Sequence, residues 1–325
     1  MPALPVWLLL HFAGAAIGTW WARRYALKGN LMDQPGERRS HSVPTPRGGG
    51  IAIVAMVVLA GLVTGLQSSD DRWLLWSFVP GLVIVAGIGW WDDHRPLSPW
   101  LRLGVQAMAA GLLALGVLSA TATPGYAAFA FLAAMALVNV WNFMDGINGL
   151  AASQAWLAAL AYAALMPAGG GVSWVAWALF AACAGFLPFN FPRARIFLGD
   201  VGSGALGYTL AMLATTSFVA APRAVMPLVL LPLCAFLVDA GFTLAWRMLR
   251  GERWWTPHVS HLYQWAARRV GHATVTVIYF VFGSVTLLLS FTLPNTTFGT
   301  AAAVVAGIYG VGGVLWVLLR RGWRD

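Results

Sequence analysis

Eleven apolar runs follow one another along the 325 residues, each long enough to cross a bilayer's hydrocarbon core, for which roughly 17 to 25 residues suffice. They are Leu4–Trp21, Gly49–Leu66, Trp73–Trp91, Leu101–Leu118, Tyr126–Phe143, Leu150–Met166, Ser173–Phe189, Ser203–Ala220, Val225–Trp246, Val275–Leu293 and Gly299–Leu319. The polar segments between them are too short to fold by themselves. Charged residues make up 10% of the chain, too few to clothe a soluble core of this size, since ordinary soluble domains carry roughly 25%. The sequence therefore predicts one all-α polytopic membrane domain over residues 1–325, with ten or eleven transmembrane helices. The first run has no basic residue before its apolar core, and Arg23 and Arg24 follow it. It reads as a retained helix with its N-terminus outside rather than as a cleaved signal.

An odd number of spans sorts the connections into two sets. One set holds every Lys and Arg except Arg72 and Arg223, that is, 18 of the 20. Such asymmetry places the basic set in the cytoplasm. The basic pI then follows from topology and from an anion bound at that face, and gives no case for nucleic acid. Cys183 and Cys234 lie inside apolar runs and read as packing residues, not as a disulfide.

Carboxylates are scarce, 11 in all, and most fall at the cytoplasmic mouths of spans, where ionisable groups are costly and so point to function. In "GWWDDHRPL", Asp92 and Asp93 end the third span. Two adjacent carboxylates ionise together only if cations share them. Mg²⁺ or a metal-bound phosphate would serve; a loop cap paired with Arg95, helped by His94, is the plainer alternative. In "NFMDGINGL", Asp145 lies among Asn142, Gly146, Asn148 and Gly149, a turn composition that also lets a ligand approach the backbone. In "RIFLGDVGSGALGY", Asp200 opens the eighth span. Free N–H groups there would suit phosphate and the carboxylate a metal, or the segment is an N-cap followed by a glycine packing stripe.

"PTPRGGG" supplies Arg47 and the triplet Gly48, Gly49 and Gly50. The last large loop, "RGERWWTPHVSHLYQWAARRVGHAT", supplies His258, His261, Tyr263, Arg268 and Arg269. Its His-x-x-His pair lacks the further ligands a zinc site needs. Asp239, within the ninth span, is either functional or a packing carboxylate held by a hydroxyl or an Arg. Three carboxylate sites, glycine-rich helix entrances, asparagines and surplus Arg and His together suit a metal-bridged diphosphate. A membrane-surface location makes one substrate a lipid phosphate. An ion-coupled secondary transporter is the competing class, but no internal repeat is evident and the acids gather at one face rather than at the midplane.

The ordered motifs "PTPRGGG", "GWWDDHRPL", "NFMDGINGL" and "NFPRARIFLGDVGSGALGY" resemble the polyprenyl-phosphate N-acetylhexosamine-1-phosphate transferase superfamily, over Pro44 to about Tyr263. The resemblance implies that a polyprenyl phosphate attacks the β-phosphorus of a UDP-amino sugar, with Mg²⁺ or Mn²⁺ as cofactor. It implies catalytic roles for Asp92, Asp93 and Asp200. Asp200 is the implied metal ligand, with Asp92, Asp93 and Asn142 as further candidates. Asn148 and Asn190 would line the uridine pocket and Phe197 would pack on uracil. Arg47, Gly48, Gly49, Asn142, Asp145, His258, His261 and Tyr263 would complete the substrate contacts. The implied partners are undecaprenyl phosphate, a UDP-N-acetylamino sugar and the bilayer of a bacterial inner membrane, with a homodimer left open. The ending "HLYQ" resembles the branch that initiates O-antigen and other surface glycans. The peptidoglycan branch, which transfers phospho-N-acetylmuramoyl-pentapeptide, carries consecutive histidines where this chain has "PHVSHLYQ".

Overall fold

The computed structural model describes residues 1–34, 43–166, 169–252, 259–293 and 296–322. In chain order these form α1 (Leu4–Lys28), a two-stranded antiparallel ribbon of β1 (Met32–Asp33) and β2 (Thr45–Pro46), α2 (Ile51–Gln67), α3 (Arg72–His94), α4 (Pro99–Thr121), α5 (Pro124–Met144), α6 (Leu150–Leu165), α7 (Gly171–Asn190) and α8 (Asp200–Ala220). A 3₁₀ segment (Met226–Leu233) then leads into α9 (Cys234–Leu249), and α10 (Leu262–Val270), α11 (His272–Thr292) and α12 (Phe298–Gly322) complete the chain. Among the described residues nine helical segments are long and apolar enough to cross a membrane, with α2 and α6 as shorter apolar helices. The protein is an all-α, multi-pass membrane protein.

Local chemistry sets the helix ends. Ser98 caps α4, its hydroxyl accepting the Leu101 N–H at 3.2 Å, and Pro99 follows in the first turn, where its missing N–H costs nothing. The ninth apolar run is not one helix. Pro227 and Pro232 supply no backbone N–H, and the chain takes the tighter 3₁₀ turn through them before α9 begins. The sequence also concealed α10, a nine-residue amphipathic helix inside the last polar loop.

Helix α8 is the axis of the bundle: every residue from Val201 to Thr215 is buried. Around it stand α3, α5 and α6, while α7 joins α6 to α1 and α2. Transmembrane helices approach closely where their facing residues are small. A Cβ on Gly207 would collide with the Leu137 carbonyl of α5, and one on Gly89 with the Asp200 carbonyl. Tyr208 stacks on Phe78 with ring centroids 5.7 Å apart and donates its hydroxyl to the Ala109 carbonyl at 2.9 Å. Three helices are thus registered against α8, and α8 in turn fixes where its N-terminus, Asp200, stands.

These contacts predict opposite outcomes for two glycine substitutions. Gly207→Ala will destabilise the protein by about 1–3 kcal/mol through overpacking. Gly111→Ala, where a Cβ meets nothing within 4 Å, will be neutral or stabilising by up to about 1 kcal/mol. Thermal unfolding in detergent, followed by size-exclusion chromatography, reads both.

Candidate active site

Asp92 and Asp93 occupy the last turn of α3, and successive helix residues point about 100° apart, so the two carboxylates part company. Asp93 turns inward and is buried. Its Oδ1 accepts the Asp200 N–H and its Oδ2 the Val201 N–H, both at 3.1 Å. The next two amides, of Gly202 and Ser203, donate to the Gly199 carbonyl at 3.0 and 2.9 Å. All four N–H groups that open α8 are therefore satisfied within the protein. The sequence reading of this terminus as a phosphate cradle is corrected: Asp93 occupies the place an anion would take. Gly199 makes the approach feasible. It adopts φ +77°, and a Cβ there would lie 2.6 Å from Asp93 Oδ2. Arg47 reaches the same carboxylate from the first loop, its Nε 3.8 Å from Asp93 Oδ1 and its Nη1 3.9 Å from Asp33 Oδ1, and it donates from Nη2 to the Asp93 carbonyl.

Asp92 faces the other way. Its Oδ1 accepts the Leu97 N–H at 2.6 Å, and its Oδ2 accepts Arg102 Nη1 at 2.8 Å. The same guanidinium nitrogen donates to Asp200 Oδ2 at 3.3 Å, so one cationic nitrogen bridges the two carboxylates. Asp200 is the more open, with its side chain 34% exposed. The expected help from His94 and Arg95 is not what is found. His94 packs on Trp90 at 4.0 Å, its Nδ1 2.8 Å from the Trp90 carbonyl, and its Nε2 lies 3.4 Å from the Tyr25 hydroxyl. The counter-charges are Arg47 and Arg102.

The α5–α6 connection borders this pair. Asn142 Nδ2 donates to Ser203 Oγ of α8 at 3.2 Å, and Asn148 Nδ2 to the Pro192 carbonyl at 3.1 Å. Asp145 ends α5, half-buried; burial, then the carboxylates of Asp93 and Asp33, push its pKa up to about 8. Asn190 is buried and committed on both sides of its amide. It accepts the Gly149 N–H at 2.7 Å and donates to the Ile196 carbonyl at 2.9 Å, so it clamps two loops rather than presenting itself to a nucleotide. Phe197 is half-buried, and its backbone forms a short ladder with the first loop: Phe197 N–H to the Pro46 carbonyl at 2.7 Å and Gly49 N–H to the Phe197 carbonyl at 2.9 Å. Gly50 N–H adds a bond to the Leu198 carbonyl at 2.8 Å. The expectation of Gly49 as a substrate contact is corrected to this extent: its amide is spent on the protein, and a Cβ on Gly48's neighbour Gly199 would crowd the Gly48 nitrogen at 2.8 Å.

The last loop is built around Asp239, which is buried and structural. Its Oδ1 accepts Leu262 N–H at 2.9 Å, Thr243 Oγ1 at 3.2 Å and Trp316 Nε1 at 3.3 Å, and its Oδ2 accepts Tyr263 N–H at 3.0 Å and the Tyr279 hydroxyl at 2.8 Å. His261 Nδ1 lies 3.8 Å from Oδ1, and its ring stacks on both Phe143 and Tyr263. The Tyr263 hydroxyl donates to the Phe143 carbonyl at 2.9 Å, and burial together with Asp239 and Asp145 raises its pKa. The inferred sugar-phosphate contact of Tyr263 is corrected accordingly: it ties α10 to the Asp145 connection. His258 lies outside the described residues.

Thus Asp92, Asp93, Asp200, Arg47, Asn142 and Asp145 converge at one end of the bundle, with His261 stacked behind Phe143. Sequence reading missed the role of Arg102 and the buried Asp33. An arginine just inside an apolar run was the available signal for the first. Among the described residues no group of three His, Cys, Asp or Glu forms a metal cage. Mg²⁺, however, is usually held by one or two carboxylates plus substrate phosphates, and two carboxylate oxygens already converge here on one cationic nitrogen. The donor set of Asp92 and Asp200 fits such an ion.

Comparison with known proteins shows the family. The glycosyl transferase family 4 signature matches residues 75–218, which include all four site aspartates named above. A decaprenyl-phosphate N-acetylglucosaminephosphotransferase of Mycobacterium tuberculosis is 30% identical over 95% of this chain and 88% of its own length. A probable undecaprenyl-phosphate N-acetylglucosaminyl 1-phosphate transferase of Bacillus subtilis is 28% identical over 85% and 80%. A phospho-N-acetylmuramoyl-pentapeptide-transferase of Heliobacterium modesticaldum is 31% identical over 64% and 74%. The chain belongs to glycosyl transferase family 4, within the polyprenyl-phosphate N-acetylhexosamine-1-phosphate transferase superfamily.

Two outcomes are expected. Asp93→Asn, which puts an amide against two N–H donors, will cost about 2 kcal/mol of stability, more than Asp92→Asn, in thermal unfolding. In chelator-containing buffer, Asp145 will be protonated in the fold but ionised in the unfolded chain between about pH 4 and its folded pKa of about 8. Its contribution to stability therefore falls as pH rises through that window and is level above it. Asp145→Asn will remove this slope, gaining on the parent protein between pH 6 and 8.5.

Proposed function

We propose that this protein transfers an N-acetylhexosamine-1-phosphate from a UDP-sugar to undecaprenyl phosphate, releasing UMP and beginning a lipid-linked O-antigen or other surface glycan. The donor we favour is UDP-N-acetylglucosamine, the sugar in the names of the Mycobacterium tuberculosis and Bacillus subtilis relatives. Related amino sugars such as QuiNAc and FucNAc belong to the same class. The observation that carries the reading is the Asp92–Arg102–Asp200 bridge at a mouth between membrane-length helices, flanked by Arg47. By the charge asymmetry of the loops this mouth faces the cytoplasm of a bacterial inner membrane.

In the reaction, an oxygen of the lipid phosphate forms a bond to the β-phosphorus while the bond from that phosphorus to the UMP oxygen breaks, and UMP leaves with the electron pair. Asp200 and Asp92 would hold Mg²⁺ or Mn²⁺, which when bound supplies charge neutralisation to the diphosphate. Arg47, and Arg102, which would yield its place between Asp92 and Asp200 to the ion, provide positive charge for two phosphate groups that repel each other. Asp93 acts by holding the α8 N-terminus, and with it Asp200, in place. Asn142 and Asn148 offer amide groups on the donor side. The transfer of phospho-N-acetylmuramoyl-pentapeptide is a second reading, favoured by the likeness to the Heliobacterium protein.

Purified protein with Mg²⁺, undecaprenyl phosphate and a panel of radiolabelled UDP-sugars decides the matter. We expect labelled lipid and free UMP with an N-acetylhexosamine donor, and little with UDP-N-acetylmuramoyl-pentapeptide. Absence of lipid product with every donor would sink the proposal. Asp200→Asn and Asp92→Asn will each lower kcat by about 100-fold or more while the protein remains folded.

A further inference from the structure

Helix α12 lies outside the segment that carries the family signature, yet it holds the last loop at two points. Arg320, in its final helical turn, is buried. Its guanidinium carbon lies 4.9 Å from the ring centre of Trp316, 5.4 Å from that of Trp265 on α10 and 5.6 Å from that of Trp246 on α9. Its Nη1 donates to the Ser260 carbonyl at 2.8 Å. One turn earlier, Trp316 Nε1 donates to Asp239 Oδ1 at 3.3 Å, the same oxygen that caps α10 through Leu262 N–H. Three tryptophans around one guanidinium form a cation–π enclosure that fixes its orientation, and the planar fork directs one N–H at the carbonyl.

What the two bonds hold is the stretch from Ser260 to Tyr263. That stretch presses on the Asp145 connection: the Tyr263 hydroxyl bonds the Phe143 carbonyl, His261 stacks on Phe143 at 6.1 Å, and a Cβ on Gly146 would strike Tyr263. From α11, Thr276 Oγ1 adds a bond to the Asn148 carbonyl at 2.7 Å. Helix α12 is in this way linked through direct contacts to the Asn142–Asn148 side of the site.

We propose that α12 is a positioning element for donor binding, with Arg320 and Trp316 as positioning residues that hold residues 260–263 against the α5–α6 connection. The assignment of that connection to the nucleotide-sugar rests on the function proposed above. The tether itself does not, and it can be read without activity. Cys183 and Cys234 are both buried, so a Ser260→Cys protein carries one accessible thiol among the described residues.

In that background, Arg320→Ala and Trp316→Phe are expected to raise the rate of maleimide labelling at position 260 by about tenfold or more, the size of one lost hydrogen bond, in protein that stays monodisperse by size-exclusion chromatography at the labelling temperature. Arg320→Lys, which keeps the charge but not the planar fork, is expected to fall between parent and Ala, and serves as the folded comparison if Ala does not accumulate. In the transferase assay the same variants should raise KM for the UDP-sugar by about tenfold, leaving KM for undecaprenyl phosphate and kcat within threefold. Unchanged labelling in Arg320→Ala and Arg320→Lys overturns the tether. Increased labelling with both KM values unmoved overturns the positioning role. A parent enzyme inactive with every donor would count against the proposed function while the labelling still decided the tether.

Discussion

The whole mouth of this bundle hangs on one carboxylate bound to two amides: Asp93 of α3 capping the first turn of α8. A helix entering the protein interior with four N–H groups unpaired would be costly, because each buried donor forfeits its bond to water. Asp93 satisfies two, Gly199 satisfies the rest, and a carboxylate at a helix N-terminus is also favoured by the helix dipole. With α8 fixed in this way, Asp200 is presented beside Asp92 at the distance Arg102 can bridge. The pair of aspartates in "GWWDDHRPL" thus divides its work. One member builds the site and the other faces it, because adjacent residues on a helix cannot point in the same direction.

Asp239 repeats the device at the other side of the site. It caps α10 through the Leu262 and Tyr263 amides and gathers three side-chain donors besides. Buried carboxylates survive in a low-dielectric interior when several donors share them. In both places a scarce acid, expensive at membrane depth, orders a polar segment that could not order itself by apolar packing. Arg320 does the same with a cation, enclosed by tryptophan rings and aimed at a carbonyl.

Much of this was readable in the chain. Run lengths and charge sparsity point to the helical membrane fold, since continuous apolar runs of this length suit spanning helices, whereas barrel strands alternate apolar and polar residues. The motifs drew attention to Asp92, Asp93, Asp145, Asp200 and Arg47, which do converge. What could not be read was the direction of each side chain. The glycine run before α8 suggested open amides for phosphate, and nothing in the local sequence shows that an aspartate 107 residues earlier fills them. The family resemblance implied ligand contacts for Asn190 and Tyr263; in the fold their partners are backbone groups brought near only by folding. Arg102 was counted merely as a charge, because its two partners lie 10 and 98 residues away.

The sequence by itself determined the number of apolar segments, the asymmetry of the charges and the chemical inventory of the loops, because these depend on composition along the chain. Only the tertiary structure decided which carboxylates are free to meet a substrate and which are consumed in holding helices. That choice depends on donors supplied by other helices, and the 3.6-residue turn sends neighbouring side chains to different partners.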